Sequence, residues 1–278
     1  MSVWHGFVAS LPFEWAQFQF MHYALLGVLL VAPLFALLGC VVISNRMVFF
    51  SDAIGHSALT GIAIGMIAGL GDPMGAMLAF AVAIAVTVAL LRRLSRATTD
   101  TVIGLVMSFS VALGIALLSR RGGFNAYSAY LIGDILTITP AELGRVFLLL
   151  AGVLVAWSFL LNPIMLLTFD QSLARSRGVR VWLTETLLTV IVAVSVTLTI
   201  PWIGILVINS LLVVPAAAAR NVAWNAPSQI VLAVIISVLA GISGLIVSYY
   251  ADTAAGATIV LAAIVLYGLT LIARLARA

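Results

Sequence analysis

An all-α, polytopic membrane bundle of eight or nine transmembrane helices is the fold class this sequence predicts, and three observations carry the prediction. Of the 278 residues, 64% are hydrophobic and 8% charged, where a soluble domain carries about 25% charged residues. Mean hydropathy is +1.27, and the apolar residues come in runs long enough to cross a hydrocarbon core. The period-two alternation of an outer-membrane barrel is absent. In lipid, the remaining way to satisfy a backbone is the helix.

Residues 1–20 mix aromatics (Trp4, Phe7, Phe13, Trp15, Phe18, Phe20) with scattered polar groups, the composition of an interfacial helix. They carry no basic leader, so no cleaved signal peptide is expected. The first span runs from about Met21 to Ser44, across Pro33, and Arg46 closes it. The second ends near Leu70 and carries a small-residue stripe, Gly61, Gly65 and Gly69. Gly71-Asp72-Pro73 is a turn, and the third span ends at Arg92, Arg93 and Arg96. A fourth covers about Thr101 to Leu118. Residues 124–140 are amphipathic and too broken to span, so they read as an interfacial segment. The fifth span, about Ala141 to Leu161, stops before Asn162-Pro163. Four more follow: about Trp182–Ile200, Gly204–Ala219, Ser228–Tyr250 and Ala254–Ile272.

Arginine placement tests this layout. The chain has 13 basic residues, all arginine. With nine alternating spans, ten arginines fall on one side: Arg46, Arg92, Arg93, Arg96, Arg175, Arg177, Arg180, Arg220, Arg274 and Arg277. Three fall on the other: Arg120, Arg121 and Arg145. The positive-inside rule makes the crowded side cytoplasmic, with the N-terminus outside and the C-terminus inside a cell membrane. The formal charge of +4 therefore reflects topology and not nucleic-acid binding. No large loop remains for a soluble catalytic domain, so residues 1–278 read as one membrane domain in contact with lipid. A single cysteine, Cys40, excludes a disulfide framework within the chain.

Two stretches concentrate the chemistry. Asp52 and His56 stand four residues apart, on one face of a helix, with Cβ atoms about 5–6 Å apart. A carboxylate and an imidazole suit zinc, manganese or iron. An ionisable pair inside a span points to function, although such a pair also serves to fix helix packing. The second stretch, Phe169 to Arg180, is the longest polar one. Asp170 is placed as an N-cap, Arg175 and Arg177 occupy the last turn, and Gly178 is the stop. A short capped helix of this kind suits a protein groove, and the alternative is a basic loop held at anionic lipid. His5 and His22 read as interfacial, Asp134 and Asp252 as solvated caps, and Glu185 as the partner of a nearby arginine. Asn209 and Ser210 either line a passage or bridge helices.

These stretches resemble the membrane permeases of zinc, manganese and iron ABC importers. FFSDAIGHSALTG (49–61) is similar to the family signature Asp-Ala-x-x-His-x-x-x-x-Gly. IGILVINSLLVVPAAAA (203–219) is similar to its Pro-Ala-Ala block, and FDQSLARSRG (169–178) to its coupling segment. Shorter matches lie at 20–26, 130–136 and 256–261. Gly55 replaces a frequent serine and Thr60 a frequent proline, both beside the histidine. The resemblance implies a type II importer fold and a homodimeric pore, with Asp52 and His56 as metal contacts. It implies Phe169, Asp170, Ala174, Arg175 and Gly178 as the contact with cytoplasmic ATPase subunits. It also implies an extracytoplasmic metal-binding protein as a partner. The metal, zinc or manganese foremost, is cargo and not a cofactor. The chain has no Gly-x-x-x-x-Gly-Lys-(Ser/Thr) loop and no lysine at all, so it is not itself the P-loop ATPase and is expected to be no enzyme. The alternative is a self-sufficient secondary carrier or channel for metal cations, for which inverted repeats and several midplane acids are expected. A metalloenzyme would need a third ligand that the three histidines do not supply in any recognisable spacing.

Overall fold

The computed structural model describes Trp4, Val8 and residues 12–119 and 133–277. Among these the regular elements are helices, because each apolar run has to satisfy its own backbone. In chain order they are α1 (Gln19–Ser44), α2 (Phe50–Ile67), α3 (Met74–Leu94), α4 (Thr99–Ser119) and α5 (Pro140–Phe169). There follow α6 (Gln171–Ser176), α7 (Val181–Ile203), α8 (Ile205–Val222), α9 (Ala226–Ala251) and α10 (Ala255–Leu275). All but α6 are long and apolar enough to cross a membrane, which makes nine candidate spans among the described residues.

The ends follow local chemistry. Asn225 starts α9 with a capping box, its side chain accepting from the Ser228 N–H at 2.8 Å. Asp252 ends α9 in the left-handed conformation, φ 50°, as an exposed cap. Asp134 caps a 3₁₀ turn, Ile135–Thr137, by accepting from the Leu136 N–H at 3.0 Å. The expected interfacial segment at 124–140 falls largely outside the described residues, as do His5, Arg120 and Arg121.

Two expectations need correction. The fifth span does not stop at Asn162-Pro163: α5 runs through Pro163 to Phe169, and the Asp170 N–H still bonds the Leu166 carbonyl at 3.1 Å. A proline removes a single hydrogen bond, and the apolar residues beyond it still need helical bonding in lipid. Likewise α7 passes through Pro201 to Ile203. The stripe on the second span is also shorter than expected. Gly61 and Gly65 pack, but α2 ends at Ile67 and Gly69 turns the chain at φ 72°.

The helices group into two compact units. One contains Met1–Cys40, Ile132–Leu150 and Pro201–Ala278, and so holds α8, α9 and α10, which pack on one another. There a Cβ on Gly39 would strike the Leu212 carbonyl, and one on Gly244 would strike the Ile259 backbone. Asn221 Nδ2 donates to Thr270 Oγ1 across α8 and α10 at 3.3 Å. The other unit contains Val41–Leu131 and Ala151–Ile200. In it α2 packs against both α3 and α4. A Cβ on Gly61 would come within 2.5 Å of Met77 Cα on α3, and one on Gly114 of α4 within 2.6 Å of Thr60 Oγ1. The Thr60 hydroxyl donates to the Ser110 carbonyl of α4. Small residues and one interhelical hydrogen bond thus hold α2 from two sides, the usual way of packing helices in lipid.

Candidate functional site

The clamp on α2 decides which of its side chains remain open. Phe50, Ser51, Ala53, Ile54, Gly55, Ser57, Ala58, Leu59 and Thr60 are all buried. The Ser57 hydroxyl turns back to the Ala53 and Ile54 carbonyls at 2.7 and 3.0 Å. Asp52 and His56 occupy the remaining face, each about a third exposed (35% and 34%). Asp52 sits in the first turn, where the helix dipole favours a carboxylate.

His56 Nε2 stands 3.5 Å from Asp52 Oδ1. That is longer than a normal hydrogen bond. Two donors bound at about 2.0–2.1 Å to one tetrahedral ion stand about 3.4 Å apart. The pair therefore has the spacing of two adjacent metal ligands without rearrangement. Among the described residues no group of three His, Cys, Asp or Glu side chains comes together.

The short helix α6 forms as its sequence predicts. Asp170 caps it: Oδ1 accepts from the Ser172 N–H at 2.6 Å, the Ser172 hydroxyl at 2.7 Å and the Leu173 N–H at 3.4 Å. The Ser172 hydroxyl and these N–H groups hold the carboxyl below the usual aspartate range. At the other end the Gly178 N–H bonds the Arg175 carbonyl and the Val179 N–H the Ala174 carbonyl, both at 3.0 Å. This is a Schellman stop, with Gly178 at φ 79° where a Cβ is strained. Ala174 is fully buried, while Leu173, Arg175 and Arg177 are exposed. The side chain of Phe169 lies outside the described residues.

The remaining candidates take other positions. Asn209 and Ser210 are half-buried on α8, in the unit that does not contain Asp52 and His56. His22 is buried near the start of α1: Nε2 donates to the Ala16 carbonyl at 2.6 Å, in the 3₁₀ turn Glu14–Gln17, and the Trp4 indole donates to the His22 carbonyl at 3.0 Å. Glu185 does pair with an arginine, Arg92, at 3.7 Å. Sequence reasoning named no partner for it, because the two lie on helices far apart in the chain.

A bundle of nine candidate spans among the described residues, with a short capped helix between two of them, is a polytopic membrane protein by class. The ABC 3 transport family model matches residues 17–274, and the chain belongs to that family. It is 30% identical over 263 residues to the high-affinity zinc uptake system membrane protein ZnuB of Haemophilus influenzae, covering 93% of this chain and 99% of that one. It is also 30% identical to the manganese import system permease protein ScaB of Streptococcus parasanguinis, covering 90% and 89%. Among solved structures it resembles PsaBC from Streptococcus pneumoniae in complex with Fab, at 26% identity and TM-score 0.79, covering 97% of this chain and 95% of that one.

Proposed function

We propose that this chain is the permease subunit of an importer for a divalent transition metal, zinc or manganese foremost and iron third, and that Asp52 and His56 touch the ion in transit. The observation that carries the reading is the 3.5 Å separation of Nε2 and Oδ1 on a helix whose residues from Phe50 to Ala63 are otherwise buried. The names of the zinc and manganese relatives support the choice of cargo. A second copy related by a two-fold axis supplies a second Asp–His pair and completes four ligands. A transport site also has to release its ion, which an incomplete set on each chain favours.

Energy comes from ATP hydrolysed on separate cytoplasmic subunits, since this chain has no phosphate-binding loop. Helix α6 is their contact beside Phe169, with Asp170 and Gly178 fixing its shape and Arg175 exposed to the partner, while the fully buried Ala174 packs into its own chain and not at the contact. An extracytoplasmic metal-binding protein delivers the cargo, and Asn209 and Ser210 line the passage. Both units act as one permease domain with no reaction of its own. A self-sufficient carrier has no use for a preformed docking helix, and family membership weighs against it.

The test is metal uptake by proteoliposomes holding this chain, its ATPase and its binding protein, measured per assembled complex for zinc, manganese and iron. Asp52→Asn and His56→Ala should each reduce uptake by roughly 100-fold, the upper end of what losing even an outer-shell partner costs. Normal uptake by correctly assembled variants removes the pair from the passage. Orientation has its own test. In intact cells Leu94→Cys should resist a membrane-impermeant maleimide, with the native Cys40 silent because it is buried. Labelling from outside would invert the topology.

A further inference from the structure

Where α3 ends and α7 begins, the structure forms a cavity of about 750 Å³, and of the charged residues that line it the transport reading uses only Arg175. Arg92 and Arg93 from the last turn of α3, Arg175 from α6 and Arg180 just before α7 line it, together with Glu185 and Trp182. Four guanidinium groups thus face one carboxylate. That carboxylate is engaged by Arg92 at 3.7 Å, and Arg92 also donates to Met47 Sδ at 3.3 Å. Among the described residues no ion pair involves Arg93, Arg175 or Arg180. Three further cations line a space in which, among the described lining residues, Glu185 is the one carboxylate.

We infer that this cavity binds the phosphodiester headgroup of an anionic phospholipid. Guanidinium groups bind phosphate oxygens in bidentate fashion, and basic pockets between membrane helices at the lipid surface hold such headgroups. The cavity lies at the ends of two spanning helices, where headgroups are found. Its volume is that of a small-ligand pocket, more than a bare phosphate ion fills. Beside it Trp182 and Leu183 are 44% and 43% exposed, and Leu187 continues the apolar strip one turn along α7. Tryptophan favours the headgroup level, and the strip gives an acyl chain a path beside the headgroup. An acidic segment of a protein partner would satisfy the arginines but leave that strip unexplained.

The experiment is native mass spectrometry of the full-length chain in detergent, titrated with dioleoyl phosphatidylglycerol or dioleoyl phosphatidylcholine. Phosphatidylglycerol should be retained and phosphatidylcholine not. Each arginine near a membrane surface changes anionic-lipid binding by about fivefold, so Arg93→Gln with Arg180→Gln should weaken retention about 25-fold. The corresponding lysine pair should retain most of it. Arg180→Gln alone, at an exposed position, should lose about fivefold and serves if the double variant does not purify. Equal retention of the two lipids, or no loss in either glutamine variant, overturns the proposal. Displacement by equimolar inorganic phosphate makes the cavity a small-anion site instead. Release of lipid when the ATPase subunits assemble assigns the cavity to a protein contact. The measurement needs no metal, so its failure leaves the role of Asp52 and His56 untouched.

Discussion

In the unit that holds α2, α3 and α4, helices approach through Gly61 against Met77 and Gly114 against Thr60. In the unit that holds α8, α9 and α10, Gly39 against Leu212 and Gly244 against Ile259 serve the same purpose. The packing devices match, yet the polar load differs. The first unit places Asp52, His56, Arg92 and Glu185 within spanning helices. The second keeps Asp134 and Asp252 as end caps, carries Arg220 and Arg274 in the last turns of α8 and α10, and offers an amide and a hydroxyl, Asn209 and Ser210, midway along α8. Close packing by small residues is therefore a general requirement of the bundle, and what sets the first unit apart among the described residues is its two acid–base pairs, Asp52 with His56 and Glu185 with Arg92.

The largest effect should come from changing the ligand chemistry in one unit and the amide in the other. His56→Asp exchanges nitrogen for oxygen and should move preference from zinc toward manganese by roughly tenfold, about 1.4 kcal/mol of differential binding. Asn209→Ala should lower uptake of both metals without changing their ratio. Competitive uptake of the two ions in proteoliposomes reads this directly, and a shift in ratio from Asn209→Ala would erase the contrast between the units.

Overpacking comes next. Gly61→Val and Gly244→Val each force side-chain volume into backbone and should destabilise by about 1–3 kcal/mol, visible as lower melting temperatures in detergent. Only Gly61→Val tilts the helix that carries the pair, so only it should also weaken zinc binding in the protein that remains folded. Equal losses of binding would mean that the pair does not depend on the local clamp.

The smallest effect concerns the cap of α6. Its folded-state carboxyl lies below the ordinary aspartate value. The contribution of the cap is therefore fully present above that ordinary value, about 3.9, and is lost as pH falls through the lower folded-state value. Amide protection in α6 should stay flat from neutral pH to about 4 and drop below it. Asp170→Asn keeps an N-cap acceptor and should remove the acid dependence, whereas Asp170→Ala should fray the helix at every pH. A decline that begins near neutrality would implicate a different group.

Much of this was readable from sequence because the governing forces are local. Apolar run length narrowed the count to eight or nine spans, the four-residue spacing put Asp52 beside His56, and Asp170 and Gly178 bracketed α6. The failures were of two kinds. Pro163 looked like a stop because the rule learned from water assumes that a broken hydrogen bond is easily replaced by solvent. Inside lipid, continuing the helix is the better choice, and α5 does continue. Pairings across the chain were invisible: nothing in the order of residues says that Glu185 meets Arg92, or that the arginines of α3 and α6 line one cavity. The bond made by His22 is invisible for a related reason, since its acceptor is a main-chain carbonyl that carries no side-chain signature.

The Gly61 and Gly114 contacts and the Thr60 hydroxyl bond have a mechanical consequence. A helix held from two sides by backbone-close contacts cannot slide or rotate by a few degrees without steric collision. The clamp therefore fixes where the face that carries Asp52 and His56 lies within the packed block of α2, α3 and α4. On the proposed transport reading, an ion at this pair is taken up and released through the open face and not by a shift of α2 within its own block.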